Sequence, residues 1–264
     1  HDPTATDSSA EFNIAVGVTA LNAVTTGDQN IAIGHDALGA STTSSSNVAI
    51  GYQAGSAITT AATLATLVGY QAGGALTTGV NSTAFGYAAL NSNTTGNYNT
   101  AIGFQALSAL NTDGDVPDHN TALGNEAGQK ATTGDKATYV GSQAGKEVTT
   151  ASNNTFIGAL AGVATTTGAD NVAIGTEAFD TNTTGNQSVA VGYQSLFTSN
   201  TVNSRNVAVG YKSGYATNTG VQNAFVGYSA GIANTTGSNN IALGSGSLLS
   251  NTVGSSNVSL GKSS

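Results

Sequence analysis

Asn30-Ile31-Ala32-Ile33-Gly34 is followed, 17 residues later, by Asn47-Val48-Ala49-Ile50-Gly51. The pattern Asn-x-Ala-aliphatic-Gly, with variations, recurs from Asn13 to Gly261. Of the fourteen intervals between its glycines, eleven are 17 residues, two are 18 and one is 21. A fixed period of this length marks a repeat architecture, in which one unit buries little alone and stacked units share a core.

The columns of the repeat differ in chemistry. The residue before each glycine is large and apolar, from Val16 to Leu260, and the residue two earlier is mostly Val, Ile or Thr. On a strand these two share a face, and their size predicts that this face is the core. The residue between them, usually Ala, then faces away. Three residues after the glycine only Ala or Ser occurs, from Ala20 to Ser264, which predicts a tight position. The glycine itself fits a corner with φ > 0 or a close backbone approach. A β-branched run ending in Gly opposes helix.

Thr-Thr-Gly or a variant recurs in the other half of the unit, as at Thr25-Thr26-Gly27 and Thr235-Thr236-Gly237. Thr favours a strand and Gly a turn, so each unit reads as strand, corner, strand, corner. The expected fold is all-β, a parallel β-solenoid (β-roll or β-helix) of about fifteen 17-residue coils. At 4.7–4.9 Å between strands, fifteen coils extend roughly 70 Å. Residues 13–264 read as a single solenoid domain, with residues 1–12 an N-terminal segment in coil phase. Stacking places Asn13, Asn30, Asn47, Asn171 and Asn240 above one another as a structural ladder, a device of stacked strands.

Composition narrows the function. Charged residues are 8% of the chain, against roughly 25% in ordinary domains. Six Lys and Arg on a chain of net charge −8 do not form a phosphate-tracking patch, so nucleic acid is not an expected partner. No apolar run of about 18 residues predicts membrane insertion. With no cysteine there is no disulfide framework, thiol catalysis or zinc ribbon. One arginine, dispersed lysines and three histidines in different repeats form no catalytic constellation, so the chain reads as a non-enzyme.

Asn47-Val48-Ala49-Ile50-Gly51 and Asn171-Val172-Ala173-Ile174-Gly175 resemble the head repeats of bacterial trimeric autotransporter adhesins and related phage and virus tail-fibre repeats. The resemblance covers nearly the whole chain through the five-residue motif. It implies a left-handed parallel β-roll, a homotrimer, and attachment to a host surface through a receptor or surface glycans. It implies no catalytic residue. The family's usual period is shorter, and it lacks the Thr-Thr-Gly half.

A stacked solenoid exposes backbone at both ends, and no atypical capping repeat is evident in this sequence. The last motif copy stops three residues past its glycine, while Thr4 and Ser8-Ser9-Ala10 continue the coil phase ahead of Asn13. This predicts that copies join head to tail into a filament, with Thr4, Ile14 and Val16 at one end meeting Val258 and Leu260 at the other.

Other features carry expectations of their own. The 21-residue interval holds Asp113, Asp115 and Asp118, candidate calcium ligands because alternating oxygen donors near a Gly suit that ion. Calcium is the one cofactor that the sequence suggests. Asn93, Asn182 and Asn234 lie in Asn-x-Ser/Thr sequons and are candidate glycan attachment sites. Tyr52, Tyr70, Tyr87 and Phe104 predict an aromatic stack between coils. The adjacent threonines predict a single outward file, a narrow form of the surface used by ice-binding solenoids. The combined reading is a structural, adhesive subunit of an extracellular fibre or of a cell or virion surface, with a receptor-binding trimeric head and an ice-binding solenoid as alternatives.

Overall fold

A computed structural model describes residues 10–60, 64–112 and 118–264. The chain is an all-β parallel solenoid with one three-residue strand per repeat, and no helix occurs among the described residues. It divides into two compact units, residues 1–136 and 137–264. The first carries β1 (Ile14–Val16), β2 (Ile31–Ile33), β3 (Val48–Ile50), β4 (Thr66–Val68), β5 (Thr83–Phe85), β6 (Thr100–Ile102) and β7 (Thr121–Leu123). The second carries β8 (Thr138–Val140), β9 (Thr155–Ile157), β10 (Val172–Ile174), β11 (Val189–Val191), β12 (Val207–Val209), β13 (Ala224–Val226), β14 (Ile241–Leu243) and β15 (Val258–Leu260). Within each unit successive strands pair in parallel, motif on motif, as Ile31 on Val48 and Val172 on Val189. The longer repeats keep this register. Val48 still pairs with Thr66, and Thr100 with Thr121, so the extra residues are taken up between strands.

Two expectations are corrected. The first concerns the core. The central residue of each strand is the buried one: Ala32, Ala49, Ala101 and Ala173 are inaccessible, while Val16, Ile50, Ile174 and Leu260 face outward. The two flanking residues do share a face, but it is the outer one. The interior is filled from the opposite wall, by Leu38, Leu90, Leu107, Phe179 and Leu196 and by Ile58, Leu76 and Val148. That leaves room for only Ala on the strand side in most coils.

The second correction concerns the Thr-Thr-Gly half, which is a bend and not a strand. It is stitched to the next coil by main-chain bonds. The N–H groups of Thr25, Thr26 and Gly27 all donate to the Thr42 carbonyl, at 2.8, 3.2 and 3.3 Å. A side chain on neighbouring residues of a bend does not alternate, and both threonines reach the surface.

The tight Ala/Ser column is confirmed, with Ala37, Ala54, Ala72 and Ala89 fully buried. So is the corner glycine. Gly34 and Gly51 hold φ of 134° and 137°, and a Cβ on Gly34 would strike the Gly51 carbonyl. Any side chain here would force adjacent coils apart.

The core exchanges volume between its two walls. Where the strand centre is large (Leu67, Tyr139, Phe156, Phe225), the residue six positions later is Gly73, Gly145, Gly162 or Gly231. In β2, β5, β6 and β11 it is Ala and the partner is Leu38, Leu90, Leu107 or Leu196. In three coils Ala49, Ala122 and Ala208 face Gly55, Gly128 and Gly214, and beside Gly55 and Gly214 the space is taken by Leu67 and Phe225 of the next coil. A Cβ on Gly162 would lie 2.6 Å from the Phe156 ring, so one wall fills what the other vacates. Leu38 holds φ 49° where Gly162 holds 58°, so leucine is compatible with that backbone. Phe156→Ala alone is expected to cost about 3–5 kcal/mol by cavity formation, and Gly162→Leu alone to destabilise by overpacking. The double variant should recover much of both losses, a coupling of about 1–3 kcal/mol. Urea unfolding of the four proteins measures it, and strictly additive losses would refute the exchange.

Candidate functional site

The asparagine ladder is the most regular polar feature. The backbone N–H of Asn30 donates to Asn13 Oδ1 at 2.9 Å, that of Asn47 to Asn30 Oδ1 at 3.0 Å, and that of Asn171 to Asn154 Oδ1 at 2.9 Å. In the last coils Asn240 bonds to Asn223 at 2.9 Å and Asn257 to Asn240 at 3.0 Å. In most rungs Nδ2 crosses its own coil to a carbonyl fourteen residues on: Asn13 to Gly27 at 2.8 Å, Asn171 to Gly185 at 2.8 Å and Asn240 to Gly254 at 2.8 Å. The amide thus ties coil to coil with its oxygen and strand to bend with its nitrogen. Both ends are spent on structure, and most of these side chains are buried.

A second asparagine column lies inside the other corner. Asn182 Oδ1 accepts the Gly185 N–H at 2.7 Å and its Nδ2 donates to the Gly185 carbonyl at 3.2 Å. Asn93 accepts from Gly96 at 2.7 Å, and Asn234 donates to the Gly237 carbonyl at 3.0 Å. Asn93, Asn182 and Asn234 are fully buried, so the folded coil offers none of these three amides to a glycan. Their expected role is replaced by local turn closure, which an Asn three residues before a Gly supplies with its short amide. The exposed sequon asparagine is Asn153, whose Nδ2 donates to Asp170 at 3.0 Å.

In each unit the outward strand faces carry exposed apolar side chains. Ile50, Ile174 and Leu243 are 36%, 38% and 41% exposed, and Phe85 is 55% exposed. Beside them His35, Tyr52, Tyr70, Tyr87 and Phe104 stack in one column, with centroids 5.1–5.2 Å apart and planes within 17°. In the second unit Tyr193, Tyr211 and Tyr228 do the same, and Lys212 Nζ sits 5.6 Å from the Tyr211 centroid. Within a column the ring faces cover one another, so edges and hydroxyls meet solvent. Stacking of a sugar on an open ring face is therefore not offered along the column.

On the bend, the first threonines form a ladder of their own: Thr25 Oγ1 donates to the Thr42 carbonyl at 3.1 Å and Thr166 Oγ1 to that of Thr183 at 3.0 Å. Thr26, Thr43, Thr78 and Thr167 are exposed beside it. The threonine surface is two files wide, wider than expected, but hydroxyls of both files are committed to main-chain carbonyls, in the second file those of Thr43 to Thr60 at 3.1 Å and Thr95 to Thr112 at 2.8 Å.

At the insertion, Asp113 and Asp115 lie outside the described residues. Asp118 is 2% exposed and its Oδ2 accepts a 2.7 Å bond from Asn99 Nδ2. In most other coils that nitrogen meets a main-chain carbonyl, so the Asp118 carboxylate takes the place of that carbonyl. Among the described residues no three His, Cys, Asp or Glu side chains cluster. No helix among them is long and apolar enough to cross a membrane.

Of the expected end residues, Thr4 lies outside the described residues. Ile14 and Val16 are 51% and 56% exposed, Val258 and Leu260 68% and 64%. The backbone of Ile14 and Val16 is committed to β2, through Ile14 N–H to Asn30 at 2.8 Å and Gly34 N–H to Val16 at 2.7 Å. By the same register the outer edge of β1 presents the Asn13 carbonyl and the Gly17 N–H, residues that sequence reasoning had assigned to the ladder and the corner. A scan of protein-family models finds no match for the chain, and a search of curated proteins finds none.

Asn171→Ala removes the acceptor of the Ser188 N–H (3.0 Å) and the donor to Gly185. The buried Ser188 N–H loses its acceptor, while the Gly185 carbonyl keeps the longer bond from Asn182 Nδ2 at 3.2 Å, for an expected loss of about 1–3 kcal/mol in urea unfolding; a loss below about 0.5 kcal/mol would mean water replaces the ladder. A pH effect follows from Asp180, whose carboxyl is raised above its ordinary pKa by burial and then by Glu177. The folded state holds that proton more tightly. Its stabilising contribution is complete below the unfolded pKa and is lost as pH rises through the folded one. Asp180→Asn should therefore raise the melting temperature near pH 7 and change it little at about pH 3. Scanning calorimetry at both pH values decides this, and an equal gain at both would remove the electrostatic cause.

Proposed function

We propose that the chain is a non-enzymatic structural subunit of an extracellular fibre, that copies add to one another head to tail, coil upon coil, and that its surface serves adhesion. The observation that supports this is the complementarity of the edge strands. In the interior, the Ile241 N–H donates to the Asn257 carbonyl at 2.8 Å and the Gly261 N–H to the Leu243 carbonyl at 2.9 Å. One coil later the same roles fall to the Val258 N–H and the Leu260 carbonyl. The Asn13 carbonyl and Gly17 N–H of a second copy are the groups they would meet. The side-chain ladder has the same polarity, since Asn257 Oδ1 is placed to accept the Asn13 N–H as Asn240 Oδ1 accepts that of Asn257. Strand edges that no other segment covers favour such addition.

A second reading, lateral association into a homotrimer, is favoured by a different observation. The aliphatic columns expected in the core lie on the outer strand face of each unit, as Ile50 and Phe85 in the first and Ile174 in the second, with no charged residue at these strand positions. Apolar patches of this kind are commonly covered by a partner. Such a trimer would meet its receptor or surface glycans with the remaining coil faces.

Negative-stain electron microscopy and sedimentation of the undenatured protein test both readings. Val258→Pro removes one donor at the outer edge of β15 without touching a bond inside the chain. It is expected to abolish filaments. Ile50→Lys with Ile174→Lys places charge on the sheet face and should leave filaments while dissolving any lateral assembly. Single chains in the wild-type sample would end the head-to-tail reading, and trimers that persist in the lysine variant would end the lateral one.

A further inference from the structure

We infer that the corner carrying the insertion in the first unit is a calcium-binding site, anchored by Asp118 with Thr112 as a neutral ligand. Asp118 and Thr112 line one cavity of about 560 Å³, together with Asn111 and Asp135. Three observations on the described residues point to a hard cation.

The Asp118 carboxylate is 2% exposed, and its side-chain hydrogen bond comes from a neutral donor, Asn99 Nδ2 at 2.7 Å. The nearby cation Lys136 is engaged with Asp135 at 3.3 Å. A buried anion held by one neutral donor is poorly compensated. In the regular coils a carbonyl serves this position, so the charge here is additional to what the ladder needs. Next, Thr112 is 8% exposed, its Oγ1 has no hydrogen-bond partner, and it borders the same cavity. An orphaned buried hydroxyl is costly unless something accepts its lone pairs. Finally, Asp118 Oδ2 and Thr112 Oγ1 flank one point beside Gly96, which places them within the about 5 Å that one calcium ion with 2.3–2.6 Å bonds can bridge.

The donor set selects the ion. It holds oxygens alone, with no imidazole or thiolate, which suits calcium over transition metals. Asn111 Oδ1 already accepts from the Thr94 N–H and hydroxyl at 3.2 and 2.7 Å, so it shapes the rim. One buried carboxylate and a hydroxyl, with Asp135 on the cavity wall beside Lys136, make a low-charge site, of the class that extracellular modules use at dissociation constants of about 10⁻⁴–10⁻³ M.

The test is isothermal titration of the full chain, stripped with a chelator, with calcium chloride and separately magnesium chloride at constant ionic strength. One calcium per chain is expected, with half-saturation at about 10⁻⁴–10⁻³ M and a rise in melting temperature. Asp118→Asn keeps an acceptor for Asn99 and should weaken binding by about tenfold or more. Thr112→Val removes the orphaned hydroxyl. It should weaken binding several-fold while leaving the calcium-free protein as stable as before or more so. The site is refuted if the wild type gives neither heat nor a melting shift up to about ten times the upper end of that range. It is equally refuted if magnesium acts identically, or if both variants bind like the wild type.

Discussion

Backbone of one coil rests directly on backbone of the next, and nearly everything else follows from that contact. The corner glycines leave no room for a Cβ between Gly34 and Gly51, so strands meet at full hydrogen-bonding distance. The coil conformation itself is not locally favourable. Gln29, Asp36 and Leu38 hold φ of 60°, 59° and 49°, a region that costs roughly 1–2 kcal/mol for each non-glycine residue. Every one of these three donates its N–H to an adjacent coil, at 3.0, 3.0 and 3.1 Å. A single coil has no such acceptors. Its conformation exists because neighbours hold it, which makes the solenoid a nearest-neighbour system.

This explains which parts of the architecture were legible in the sequence. Spacing was decisive: the recurrence of Asn and Gly set the coil length, the strand position and the in-register stacking that makes Asn30 and Asn47 neighbours. The parity of the strand was also readable, since Ile31 and Ile33 share a face. Which face they share was not, because bulk normally marks the core and here the strand contributes only its central residue to the interior. The interior is decided by the opposite wall, and the compensating pairs such as Phe156 with Gly162 and Ala32 with Leu38 reveal that only once the two walls are set face to face. Left-handed backbone at Gln29 and Leu38 left no mark either, because neither residue type favours that region by itself.

The same logic applies to the polar positions. Asn93, Asn182 and Asn234 match a glycan acceptor pattern because Asn-Thr-Thr-Gly is the chemistry of a tight corner, in which the Asn amide closes on the Gly backbone. A three-residue pattern carries no information on burial. The ladder asparagines were recognisable since their spacing equals the repeat, and stacking fixes what a side chain at that period must meet. Asp118 lay between the two cases. Its acidity was visible, but its replacement of a main-chain carbonyl opposite Asn99 shows only when the coil is closed and the two side chains meet.

Low charge and an outward aliphatic face are two sides of one arrangement. A thin core stores little apolar area per coil, so the interior adds amides and hydroxyls whose bonds run along the stacking direction, as from Asn47 to Asn30 and from Thr166 to Thr183. Those bonds gain from an identical neighbour above and below, and charged residues at the same positions would stack like on like and repel. The residues that flank each strand centre are turned outward by the alternation of the strand and line the strand face in register, as neutral columns of Ile, Val and Thr. A surface this regular is poor at reading an irregular partner and well matched to another surface of the same period. Selectivity for anything else has to come from places where the repeat is interrupted, and in the first unit the interruption at residues 112–118 is where a buried charge enters the coil.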